Sequence, residues 1–157
     1  PAEADLLLCL QSKGPLGKLP KLEDGGRQVG RFGPSTLLVV PRQQVPELLQ
    51  VDGLKSMVLW GDAKVLEKLD PLLRSELLSA MAMPDWRETE HSIIGTFDEG
   101  NSDLKEELQA VGAQPRSVVG GIVTFGATSE IIFDILAWDS LVQLKKPTLL
   151  RPSQSLK

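Results

Sequence analysis

The chain has 157 residues, 41% of them hydrophobic and 24% charged, with a net charge of −4. That is enough apolar material for one domain or two small ones, and the acidic balance argues against nucleic acid as the main partner, because phosphate binding needs clustered cations. The single cysteine excludes an internal disulfide, the lack of a long apolar run leaves no membrane span to expect, and three Trp, four Phe and no Tyr disfavour an aromatic stacking platform.

Residues 4–10 (ADLLLCL) are apolar almost throughout and predict a strand in the middle of its sheet. Cys9 lies inside that run and reads as a small buried hydrophobe rather than a reactive thiol. Residues 11–26 are rich in Gly, Pro and Lys and predict a loop with no helix. Gln28-Val29 and Thr36-Leu37-Leu38-Val39-Val40 flank Gly30 and a Gly33-Pro34-Ser35 turn, so a hairpin is expected. Val45, Leu48 and Leu49 recur at helical spacing, with Pro46 tolerated in the first turn. Asp52-Gly53 ends that helix, and residues 54–60 return as a strand.

Asp62 is expected to cap a helix running to Leu69, and Asp70-Pro71 is a second cap with proline at the first helical position. Leu73, Leu77, Ala80 and Met81 stripe one face of the helix that follows, and Met83-Pro84-Asp85 stops it. Residues 89–97 (TEHSIIGTF) predict another strand. Asn101 or Ser102 is placed to cap a helix carrying Leu104, Leu108 and Val111, with Gly112 after its end. Residues 114–119 then pair with residues 122–125 across Gly120-Gly121, and Gly126 closes the second strand. Thr128 or Ser129 caps the next helix, Glu130 sits in its first turn, and Ile131, Ile132, Ile135 and Leu136 form a wide apolar stripe. After the Asp139-Ser140 turn, Leu141, Val142 and Leu144 make a return strand ended by Lys145-Lys146-Pro147.

The two ends of this pattern repeat. Residues 48–54 align with residues 135–141 at an offset of 87, and residues 37–40 align with residues 122–125 at an offset of 85. The second copy has the order β-α-β-β-α-β. The predicted class is therefore α+β, with two ferredoxin-like (split βαβ) halves and antiparallel sheets. Residues 1–61 form a degenerate half, residues 62–84 a helical connector, residues 85–147 the fuller half and residues 148–157 a flexible tail.

Reactive chemistry is thinly supplied. One His and one Cys cannot build a Cys/His zinc site, and the pairs Asp98-Glu99 and Glu106-Glu107 read as solvated surface, so no metal or cofactor is expected. A hydrolytic triad would have to use His91, whose neighbour Ser92 points to the opposite face of the strand. Another serine would be needed, and spacing identifies none. Gly14-x-x-Gly17-Lys18 lacks the spacing of a phosphate-binding loop. Read as a free N-terminal amine, Pro1 would be a candidate base or nucleophile, but no partner arginine can be assigned to it. Lys13, Lys18, Lys21 and Arg27 make a mildly basic loop, and Trp60 and Trp138 read as packing residues.

Val111-Gly112-Ala113, Gly120-Gly121-Ile122-Val123-Thr124, then Ile132, Ile135-Leu136 and Ser140-Leu141-Val142-Gln143-Leu144, together resemble the propeptide-type domain of subtilisin-like serine proteases. The resemblance covers residues 90–147, and residues 32–60 more weakly. It implies a ferredoxin-like domain without catalysis that helps fold the protease and packs its sheet on the enzyme. It also implies a C-terminal segment laid in the active-site cleft like a product. On that basis the partner-binding residues are Lys145, Lys146, Thr148, Leu149, Leu150 and Arg151, the partner is a subtilisin-like protease domain, and the setting is secretory. The residues themselves leave two other expectations open: a generic adaptor or scaffold domain, and a small enzyme using Pro1 or His91.

Overall fold

The computed structural model describes residues 5–23, 25–98 and 103–147. The first half contains β1 (Leu6–Ser12), β2 (Arg27–Phe32), β3 (Ser35–Val40), α1 (Val45–Leu48) and β4 (Leu54–Asp62). Its sheet has the antiparallel order β2-β3-β1-β4. Between β1 and β2 no helix occurs among the described residues, as the Gly/Pro/Lys composition predicts.

The connector contributes α2 (Val65–Lys68) and α3 (Pro71–Ala80), followed by a 3-10 turn at Trp86–Glu88. The second half contains β5 (Glu90–Phe97), α4 (Leu104–Ala110), β6 (Gln114–Val119), β7 (Ile122–Thr128), α5 (Ser129–Leu136) and β8 (Leu141–Lys145). Its sheet has the order β6-β7-β5-β8, the same arrangement as in the first half. The chain is thus an α+β molecule of two split βαβ halves.

The strand registers support the internal repeat. Leu8 pairs with Leu38 on β3, and Gly95 pairs with Val123 on β7. Those pairs repeat the offsets of 87 and 85 seen in the sequence. On the helix-covered face of each sheet, Leu38 and Val40 are therefore the counterparts of Val123 and Phe125, all four buried. Leu48 and Leu54 correspond in the same way to Ile135 and Leu141.

The layers explain the burial pattern. Leu6, Leu8, Leu10, Leu38, Val40 and Leu48 form one cluster, with Leu19 and Leu22 of the loop packed against it. In the second half Leu104 and Leu108 of α4 are buried in the larger cluster. The opposite face of the same sheet, Leu7, Cys9, Leu37 and Val39, joins a larger cluster that holds Leu73 and Leu77 of α3, Ile132 and Ile135 of α5, and Val123 and Phe125 of β7. Phe133 on the far side of α5 meets Trp60 at 5.0 Å and Trp86 at 6.0 Å between ring centroids. The first sheet is covered on both faces, and for this reason β1 is an unbroken apolar run. The second sheet is covered on one face only, and β5 alternates accordingly.

Several local expectations need correction. Gly126 does not close its strand: β7 continues to Thr128, because the backbone of Gly126 still pairs with Ser92 on β5. The helix expected from Asp62 to Leu69 is a single turn. β4 runs through Asp62, whose side chain accepts the Lys64 N–H at 2.9 Å. Leu69 turns extended and bridges Leu144 of β8 in parallel. The connector packs as a layer between the two sheets, its Leu73 and Leu77 in the cluster that holds residues of both halves. Asn101 and Ser102 lie outside the described residues, and α4 begins after Asp103. No helix among the described residues is long and apolar enough to cross a membrane.

Candidate functional site

His91 lies on β5, on the face that α4 and α5 cover, and is buried. Ser129 is the first residue of α5, whose N-cap is Thr128; the Thr128 hydroxyl accepts the Ile131 N–H at 3.4 Å. Glu76 lies on α3, one turn from both Leu73 and Ala80, at the margin of the buried stripe. Lys146 directly follows β8. Four elements distant in sequence thus deliver four polar groups to one place.

The groups form a continuous chain. His91 Nε2 lies 2.7 Å from Ser129 Oγ, and His91 Nδ1 lies 2.6 Å from Glu76 Oε2. Lys146 Nζ lies 2.9 Å from Glu76 Oε1. An ionised carboxylate can only accept, so the proton sits on Nδ1 and Nδ1–H donates to Glu76. In the neutral ring Nε2 then accepts from the Ser129 hydroxyl. Burial by itself would raise the Glu76 carboxyl. The hydrogen bonds from Lys146 and His91, with the charge on Lys146 and that on His91 when protonated, outweigh it and hold Glu76 below its ordinary value.

Ser, His and an acid in this order make up the constellation of a hydrolytic triad. The Ser129 side chain is 0% exposed, however, so a substrate carbonyl has no path to its Oγ. The arrangement instead fastens α3, β5, α5 and the end of β8 to one another. Two further contacts tie the connector to the second half. Asp70 N–H donates to the Leu144 carbonyl at 3.0 Å. Lys68 Nζ donates to the Trp138 carbonyl at 2.9 Å, beside the C-terminus of α5, where a cation is favoured by the helix dipole.

Beside this chain lies a cleft of about 690 Å³. Its floor includes Ser92 and Thr124 of the uncovered sheet face, and Arg116, Glu90 and Pro147 stand around it. Arg116 reaches from the edge strand β6 across Gly126 and donates to Ser92 Oγ at 3.2 Å. The rest of that sheet face carries Ile94, Thr96 and Ile122, with Ile122 53% exposed, and the hairpin tip adds Val119 at 73%. Gly120, at φ 62°, makes the tight turn that presents this tip.

Of the residues expected to bind a partner, Lys145 ends β8 opposite Ile94 and is exposed, and Lys146 is half-exposed and held by Glu76. Thr148, Leu149, Leu150 and Arg151 lie outside the described residues, as does Pro1. Cys9 is fully buried, and burial pushes its thiol up to about 12. Among the described residues no group of three His, Cys, Asp or Glu is placed to hold a metal ion. The residues that spacing missed are Glu76, Ser129 and Arg116. Only Glu76 left a signal, as an acid at the edge of an apolar stripe in a chain with one histidine.

In comparisons with known proteins, no family model matches the chain, and neither does any curated protein or solved structure.

Proposed function

We propose that this chain is a non-enzymatic protein-interaction module of the kind that accompanies a subtilisin-like serine protease as chaperone or inhibitor. The observation that carries the reading is the unequal covering of two equivalent sheets. Leu7, Cys9, Leu37 and Val39 are seated on helices within the molecule. Their counterparts by offset, Ile94, Thr96, Ile122 and Thr124, face outward, and among the described residues no element covers them. A half-apolar sheet face of this kind is suited to receive a protein surface. The strand at its margin, β8, leads directly into Lys146, which Glu76 fixes in place. That geometry supports a docked sheet followed by a C-terminal segment that reaches a cleft.

The test is titration into a panel of subtilisin-like proteases. Inhibition is the expected result, with removal of residues 148–157 weakening inhibition much more than binding. Ile122→Asp, on the sheet face, should weaken binding itself. Absence of both binding and inhibition across the panel would leave the generic adaptor as the better reading.

A further inference from the structure

We infer that the cleft between Arg116, Glu90 and the end of α3 is a binding site for a small zwitterion, an α-amino acid with an apolar side chain. The inference stands apart from the protease reading, because it concerns a free ligand and needs no partner protein.

The charges around the cleft are not equivalent. Glu76 is matched by Lys146 on one oxygen and by His91 on the other. Arg116 donates only to the neutral Ser92 hydroxyl among the described residues. The Glu90 carboxylate has no hydrogen bond or ion pair among the described residues, and it does not meet Arg116. One cation and one anion thus line the same cleft without pairing with each other. A ligand that carries both charges completes each of them, whereas a simple anion leaves Glu90 facing it and a simple cation leaves Arg116.

The spacing agrees. Glu90 and Ser92 lie two positions apart on β5, on one face, about 7 Å between Cα atoms. An α-amino acid with a hydrogen bond at each charged end spans on the order of 8 Å. Its carboxylate would take the guanidinium of Arg116 and the Ser92 hydroxyl, the pairing that suits a planar fork. Its ammonium would take Glu90. Ala80, Pro147 and the aliphatic stem of Lys146 offer the side chain an apolar wall. At about 690 Å³ the cleft holds a leucine-sized ligand with water.

The experiment is an amide NMR titration with L-leucine, leucinamide and isocaproate, the last two lacking the carboxylate and the ammonium in turn. Saturable shifts centred on Ser92 and Thr124 are expected with leucine, with each truncated ligand binding at least about tenfold more weakly. Both charged residues are exposed, so Arg116→Gln and Glu90→Gln keep the fold. Arg116→Gln should erase the preference for leucine over leucinamide, and Glu90→Gln the preference for leucine over isocaproate. The inference is overturned by an absence of saturable shifts at millimolar leucine. It is equally overturned by leucinamide and isocaproate binding as well as leucine, or by both variants retaining wild-type preferences.

Discussion

His91 is the residue on which the polar chain turns, because each of its ring nitrogens satisfies a group from another element. Removing it leaves a buried Ser129 hydroxyl and one Glu76 oxygen without that partner, and an unsatisfied buried polar group is costly. His91→Ala should therefore destabilise the fold by about 2–4 kcal/mol in urea denaturation. A loss within a few tenths of the value for an exposed surface alanine would show that the chain does not hold these elements together. Glu76 adds a pH dependence whose sign is fixed by its lowered folded value. Against an ordinary value of 4.5, the unfolded chain takes up the proton first as the solution is acidified. The contribution is complete above the ordinary value and is lost as pH falls through the folded one. The stability gap between wild type and Glu76→Gln should be constant near neutrality and close below about pH 4. A gap that persists unchanged into stronger acid would mean that Glu76 is not ionised in this pair.

Asp70 shows how far local chemistry reaches at the level of single elements. The Asp-Pro signal is legible in the sequence, and in the structure the Asp70 side chain accepts from Leu72 N–H at 3.1 Å and Leu73 N–H at 3.4 Å. Asp70→Ala should cost about 1 kcal/mol, measured as a shift of the denaturation midpoint at unchanged slope. The hairpins, the Gly120 turn and the loop in place of a helix are legible for the same reason: each depends on residues adjacent in sequence. So is the repeat, since the offsets of 87 and 85 keep the same face buried in both copies. Elements set by distant pairing are not legible. Gly126 reads as a stop, yet the pairing of β5 carries β7 past it. Asp62 reads as a helix cap, yet pairing with Leu6 keeps it in β4. Ser129 lies 38 residues from His91 and Glu76 lies 15 from it, distances over which spacing carries no information.

At the scale of the molecule, the sequence suggests two halves and a connector, and packing joins them through the larger of the two clusters. Leu77 of α3 is fully buried in the cluster that also contains Leu7 from the first sheet and Phe125 from the second. Trp60 lies on β4 of the first half and Trp138 follows α5 of the second. Their fluorescence should follow a single transition in denaturant, each examined with the other two Trp, Trp86 included, replaced by Phe. Leu77→Ala should lower both by the same amount, about 2–5 kcal/mol. Two separated transitions would contradict the shared core. The doubly covered first sheet also bears on dissection of the chain. A fragment ending near Asp62 would expose Leu7, Cys9, Leu37 and Val39 as one adhesive surface and should self-associate. A fragment beginning near Asp85 would lose Glu76 and the Trp60 ring that packs on Phe133 of α5. The boundaries that the repeat suggests are thus places where the gene can be divided but the folded protein cannot.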